Sequence, residues 1–209
     1  MITTYGPIPR EVGLALSGGC DSMAVLDYLL LSRRKVTAIH VDHGDEYSAE
    51  CVDLVTKYCK YRDVPLYVSE PIGPKPMGMS EEMWWRQERY EFLRHIQSII
   101  DLPIITAHNL DDQVETWLMS MIKGTPKLIP SYRDNPNIIR PFLLTRKESL
   151  RDWCIQKAVP FLDDPENDNW EHERCYTRHH LVSAVTDINP GIHRKVAKLV
   201  RDKYGELSR

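Results

Sequence analysis

Six consecutive residues, Ser17-Gly18-Gly19-Cys20-Asp21-Ser22, carry the densest chemical signal in the chain. They end the short apolar run Val12–Ser17 and open a segment, Asp21–Ser32, with apolar residues at helical spacing. A strand that turns through two glycines into a helix exposes successive backbone N–H groups, and the helix N-terminus adds partial positive charge. Such a turn suits phosphate or pyrophosphate. The residue order is neither G-x-x-x-x-G-K-[ST] nor G-x-G-x-x-G, so neither a Walker loop nor a dinucleotide fingerprint fits. A plain Gly-Gly connection accounts for the glycines alone; the flanking serines and Asp21 favour the anion site.

Further along, Asn109 reads as a helix cap, with His108 and Asp112 four apart around it. Both could face the C-terminal edge of a sheet, where open α/β folds bind ligands. Asp111 and Glu115 are competing acids, and helix-dipole stabilisation of about 0.3–1 kcal/mol is the alternative use of the pair Asp111/Asp112. Arg86, Arg89 and Tyr90 share one helical face at i, i+3, i+4; a guanidinium there can fork onto phosphate, or the helix is simply solvated among Glu82, Glu88 and Glu91. His40, Asp42 and His43 end a second strand and suit the wall of a nucleotide pocket better than a metal site. His172, Cys175, His179 and His180 match no zinc-finger spacing, and the five cysteines include no C-x-x-C. Adjacent Trp84 and Trp85 must point to different sides of a helix, one to the core and one available to stack on a base.

These groups need a scaffold, and the pattern supplies one. Strand-like runs at Val12–Ser17, Lys35–Val41, Pro65–Val68 and Pro103–Thr106 alternate with helices. The helices are Asp21–Ser32, one capped by Ser48 through Arg62, one from Ser80 to about Asp101, and one after Asn109. The last has the apolar stripe Leu110, Val114, Trp117, Leu118, Met121. Continuous apolar strands between helices predict an α/β fold, an open parallel sheet with helices on both faces. Lys123–Asn137 reads as loop, Thr145-Arg-Lys-Glu148 as a capping box, and Ile188–Arg209 as a basic helix behind a proline. The expected division is a nucleotide-binding catalytic domain over 1–187 and a basic helical extension over 188–209.

At 209 residues, 42% hydrophobic and 27% charged, the chain has the profile of a folded protein with a core. No apolar run approaches the roughly 18 residues of a membrane span, and the N-terminus lacks a signal-peptide pattern; a cytoplasmic location and no membrane partner are expected. The first 120 residues carry 11 Lys/Arg against 18 Asp/Glu, and the remainder 16 against 12. A polyanion partner should therefore lean on the second half, around Arg194, Lys195, Lys198, Arg201 and Lys203.

The hexapeptide resembles the S-G-G-x-D-S signature of PP-loop ATP pyrophosphatases. His40-Val-Asp-His-Gly44, Arg86-x-x-Arg89-Tyr90, Thr106–Thr116, Lys123-Gly-Thr125, Ile139-Arg-Pro-Phe142, Asp163–Asn167 and Ile188-Asn-Pro190 follow in the order of the tRNA(Ile)-lysidine synthase family. The resemblance implies a PP-loop Rossmann-like fold and a two-step ligase. ATP adenylates C2 of the wobble cytidine in an isoleucine tRNA with a CAU anticodon, and the amine of L-lysine then displaces AMP. It implies that Ser17, Gly18, Gly19, Cys20, Asp21, Ser22 and His40 bind ATP and that Asp21 holds Mg²⁺. It makes Asp21, Arg86, His108 and Asp112 catalytic, and assigns Asp111, Glu115, Arg89, Lys123 and Arg178 to the substrates. Asp112 is the first candidate to hold or deprotonate the lysine ammonium.

Three departures fall on the RNA side: His179 and Val182 replace an asparagine and an arginine of the family pattern, Lys123-Gly-Thr-Pro126 varies its loop, and Glu166 stands for a serine. Bacterial members carry further C-terminal domains, so the chain is expected to be a minimal, homodimeric or helper-dependent synthase, or a core redirected to another substrate. The alternatives are another PP-loop ATP pyrophosphatase, acting on a different nucleotide or small molecule, and a non-catalytic nucleotide- or RNA-binding module. Thiolating relatives use paired cysteines, against which the missing C-x-x-C counts.

Overall fold

A computed structural model describes residues 1–165 and 173–205. Glu166 and Asn167 of the acidic turn, His172 of the histidine group and the last four residues lie outside them. Six strands, β1 Glu11–Ala15, β2 Lys35–His40, β3 Leu66–Val68, β4 Ile104–Ile105, β5 Tyr132–Arg133 and β6 Ile138–Ile139, form one sheet in the order β3-β2-β1-β4-β6-β5. Every pairing is parallel except that of β5 with β6. The helices are α1 Cys20–Leu31, α2 Glu46–Tyr61, α3 Glu81–Ile100, α4 Leu110–Ile122, α5 Lys147–Lys157, α6 Glu173–Tyr176, α7 Val182–Ile188 and α8 Ile192–Tyr204. A π-helical turn, Thr177–Leu181, joins α6 to α7.

The expected doubly covered parallel sheet is present, and strand alternation explains it. Val12 and Leu14 of β1 point to the face covered by α1, α2 and α5, where they share a core with Met23, Leu26, Val55 and Leu150. Gly13 and Ala15 point to the other face, where α3 lays Leu93 and Ile96 against Ile39, Ile104 and Ile138. The α3 face packs closely at Gly13: a methyl group there would meet Ile104, Ile100 and Ile39 at 3.1, 3.2 and 3.3 Å. Asp27, the one charge inside the apolar stretch of α1, is buried and satisfied. It accepts from Arg62 Nη1 at 2.5 Å, Trp153 Nε1 at 3.0 Å and Tyr58 Oη at 3.3 Å, tying α1, α2 and α5 together.

A second apolar cluster joins Leu110, Val114 and Leu118 of α4 to Ile192, Val196 and Ala197 of α8. Asp111 reinforces it. Its carboxylate accepts from Arg146 Nε at 3.1 Å, the Lys147 backbone N–H at 2.7 Å and His193 Nε2 at 3.1 Å, so α4, α5 and α8 meet at one acid.

Four local expectations differ from the structure. Ser48 does not cap α2; Asp45 does, accepting from Ser48 N at 2.6 Å, while the Ser48 hydroxyl donates to Asp42 at 2.8 Å. Thr145 is not the cap of α5, whose N-cap is Arg146; the Thr145 hydroxyl donates instead to the Thr3 carbonyl at 2.5 Å. In both cases the hydroxyl oxygen accepts from a different backbone N–H, Ser48 Oγ from His43 N at 2.7 Å and Thr145 Oγ1 from Thr3 N at 3.0 Å. The stretch Lys123–Asn137 contributes β5 at the sheet edge, too short and too polar to show a period of two. The basic helix is α8 alone, because α7 runs to Ile188.

Candidate active site

Strand order sets the site's position. β1 has β2 on one side and β4 on the other, so the connections leave it in opposite directions and open a crevice beyond its C-terminal end. Three turns reach that crevice: Ser17–Gly19 after β1, Val41–Gly44 after β2 and Thr106–Asn109 after β4. A cavity of about 260 Å³ lies there. Ser17, Asp21, Ser22, Arg86, Arg89, His108 and Asp112 all line it, with His43, Tyr90, Thr106 and Arg174.

The glycine turn is held from within. Ser22 Oγ donates to the Gly19 carbonyl at 3.0 Å, accepts from Ser17 N at 3.1 Å and lies 3.0 Å from Ser17 Oγ. No side chain caps α1, which leaves its leading N–H groups to an anion. Gly18 has φ of +87°, and a methyl group there would meet Cys51 Cβ and Sγ at 3.3 Å. Gly18→Ala is therefore expected to cost about 1–2 kcal/mol and to weaken nucleotide binding, read by thermal unfolding and by ATP titration. Unchanged affinity would separate the turn from the nucleotide.

Asp21 is only half satisfied by the protein. Its Oδ2 accepts from Asn109 Nδ2 at 3.1 Å, while Oδ1 is buried without a protein partner. Burial, with Asp112 and Asp111 adding to it, pushes the carboxyl up to about 7 against the pull of Lys147 and Arg178. An orphaned buried carboxylate oxygen fits a divalent cation shared with phosphates. Among the described residues no three His, Cys, Asp or Glu side chains form a cage of their own, and Mg²⁺ characteristically takes one or two carboxylates plus phosphate oxygens.

His108 Nδ1 lies 2.8 Å from the Thr106 hydroxyl. Burial, then the charges of Arg140, Arg174, Arg89 and Arg86, lowers its imidazole to about 3, so it is neutral at physiological pH and acts as a hydrogen-bonding group, not a cation. Asp112 closes a capping box on Asn109 N at 2.9 Å, and its Oδ1 accepts from Arg174 Nη2 at 3.0 Å. Glu115, 2% exposed, accepts from Arg174 Nε at 2.8 Å and Arg178 Nε at 2.7 Å. The π turn carrying Arg178 is of a kind frequent at functional sites.

Other sequence candidates sit apart from the cavity. Asp111 turns to Arg146, Lys147 and His193; burial would raise its carboxyl, but those hydrogen bonds outweigh it and hold it well below the carboxylate range. His40 lies beneath the glycine turn, 2% exposed, with Nδ1 2.7 Å from the Leu16 carbonyl. Lys123 pairs with Glu173 at 2.7 Å on the surface. Trp84 Nε1 donates to the Gly73 carbonyl at 3.1 Å, and Trp85 packs on His43 with ring centroids 5.1 Å apart. Arg174 escaped the sequence reading, since an arginine in a Glu/Arg-rich stretch looks like surface. The need of Glu115 for a cation was the available signal.

The chain is similar to known proteins in sequence and in fold. The pattern of the PP-loop domain matches residues 5–185. A tRNA(Ile)-lysidine synthase of Thermotoga sp. (strain RQ2) is 32% identical over 205 residues, spanning 91% of this chain and 49% of that protein. One from Haemophilus ducreyi is 29% identical, spanning 94% and 47%. The chain thus spans about half the length of the curated relatives it matches. Among solved structures, the U34-tRNA thiolase NcsA of Methanococcus maripaludis superposes with a TM-score of 0.75 over 95% of this chain and 72% of its own, at 16% identity, a likeness of fold. With the glycine turn at the switch point of the sheet and the family pattern covering most of its length, the chain belongs to the PP-loop domain family.

Proposed function

We propose that the chain is the catalytic core of an ATP-dependent ligase of the tRNA(Ile)-lysidine synthase type, working in the cytoplasm. One observation carries this reading: the unpartnered, buried Asp21 Oδ1 at the head of α1, in a cavity shared with His108, Asp112 and Arg174. That arrangement supports a metal-bound triphosphate on one side and an ammonium-bearing nucleophile on the other, and the relatives' names supply the acceptor. Residues 1–187 form the catalytic unit in this reading. The basic segment 188–209 extends it, with α8 docked on α4.

In the first step the C2 carbonyl oxygen of the wobble cytidine attacks the α-phosphorus of ATP, and the bond to the β-phosphate oxygen breaks. The N–H groups of the Gly18–Ser22 turn hold the departing pyrophosphate, where preorganised donors stabilise charge as it develops. Asp21 would hold Mg²⁺, which would supply further neutralisation of the phosphates. Arg86 and Arg89 face the α-phosphate, and neutral His108 orients the acceptor by hydrogen bonding. In the second step the lysine amine nitrogen bonds to C2, the C2–O bond breaks and AMP leaves. Asp112, with Glu115 behind it, holds the ammonium and takes its proton; Arg178 and Lys123 lie toward the RNA.

The test is pyrophosphate release from ATP by the purified chain. Sustained release over many turnovers that requires both lysine and a CAU-anticodon tRNA is expected, with no more than about one equivalent released on the tRNA without lysine. Release with lysine but no RNA would point to a small-molecule acceptor, and none under any condition would leave a nucleotide-binding module.

A further inference from the structure

Four arginines converge on one ring at the cavity. Tyr90 lines it beside Arg86 and Arg89. The Arg86 guanidinium lies 4.9 Å from the Tyr90 centroid, and that of Arg133, from β5, lies 4.1 Å from it. Arg140, 4% exposed, sits just beyond β6. Its Nη1 donates to the Pro130 carbonyl at 2.8 Å, and its buried Nε has no protein partner. Burial would raise the Tyr90 hydroxyl, yet Arg86, Arg140, Arg133 and Arg89 together draw it below its ordinary value. Among the described residues, none of Arg86, Arg133 and Arg140 forms an ion pair. Guanidinium groups gathered this way repel one another and create a standing positive field.

The position selects the anion. β5 is the outermost strand, three places from β1, on the order of 14 Å at about 4.8 Å per strand. A triphosphate anchored on the turn after β1 serves the near side of the cavity, whereas a polynucleotide that sends one base inside carries its phosphodiesters across the rim. Tyr90 already bears two guanidiniums, which makes its ring a poor platform for a base.

We propose that Arg133, with Arg140 behind it, forms a docking site for the sugar–phosphate backbone of the acceptor RNA next to the reacting base. The inference rests on the reading of the chain as an RNA-modifying enzyme and adds where the strand is gripped. Arg133 is a positioning residue: it is half-buried on an edge strand, and among the described residues its side chain makes a single hydrogen bond, from Nε to the Asn135 carbonyl at 3.1 Å. Arg133→Gln therefore leaves the core intact.

The experiment measures binding of a fluorescent CAU-anticodon stem-loop across a salt series, beside ATP binding, for wild type, Arg133→Gln and Arg133→Lys. Glutamine is expected to weaken RNA binding about five- to tenfold and to flatten the log–log salt slope by about 0.7, one phosphate contact on a single strand. Lysine should restore most of the slope, and ATP affinity should stay the same in all three. An unchanged slope in the glutamine variant, wild type that does not bind the RNA, or a loss confined to ATP would each overturn the proposal. Wild type that binds RNA through Arg133 yet releases no lysine-dependent pyrophosphate would instead sink the lysidine reading and leave the docking site standing.

Discussion

Asp21→Asn is expected to make the protein more stable at neutral pH while ending its pyrophosphate release. The Asp21 carboxyl titrates at about 7 in the folded chain, from an ordinary value of 3.8. Between those values the folded state holds a proton that the unfolded chain has released, so stability falls as pH rises through that window. Above it the full cost is present, up to about 4 kcal/mol at roughly 1.4 kcal/mol per pH unit. Asparagine keeps an acceptor for Asn109 Nδ2 and carries no charge to desolvate. Urea unfolding at several pH values should show the variant ahead by a few kcal/mol at pH 8, with the gap closing toward pH 4. Adding ATP and Mg²⁺ should raise the stability of wild type more than that of the variant, because the cation partners only the carboxylate. Equal stability of the two proteins across the whole range would mean that the carboxylate is already compensated.

Glu115→Gln is the second large effect, opposite in sign. Glu115 is buried and receives both Arg174 and Arg178. Removing its charge takes from Arg174 and Arg178 the carboxylate they share on the inner face of α4, leaving Arg174 its contact with Asp112, and breaking a buried pair from one side costs up to about 3–5 kcal/mol. The loss should be local first. Hydrogen exchange should quicken in α6, the π turn and α7 while the strands stay protected. Because Arg174 also holds Asp112, lysine-dependent turnover should fall along with stability. A cost under about 1 kcal/mol would show that the arginines find solvent without Glu115.

Much of this molecule could be read in advance, and the reasons for the failures are physical. Strands β1 and β2 were legible as continuous apolar runs because both faces of the sheet are covered, and α3 and α4 by their caps, α4 also by the apolar stripe it buries. The cap at Asn109 was legible for a related reason, since its partners Asp111 N and Asp112 N are two and three residues away. Ser48 and Thr145 misled because their hydroxyl oxygens accept from His43 N and Thr3 N, bonds that no helix-start pattern displays. Asp111 and Asp112 are neighbours in sequence but lie on different sides of α4. One meets His193 and Arg146, the other Arg174, and no local pattern distinguishes them. β5 and its Arg133 stayed hidden because an edge strand of two residues has no hydrophobic signature.

Asn109 has a consequence larger than its size. Its side-chain oxygen receives the first N–H groups of α4, while its amide nitrogen reaches Asp21 on α1. One planar amide thus acts as a fixed gauge between the half of the crevice read as holding the nucleotide and the half that bears the acids. On the proposed reading, the distance between the nucleotide and the incoming amine is set by a rigid spacer, not by loop closure. Engineering a longer or bulkier nucleophile into this pocket would have to begin by changing that spacer.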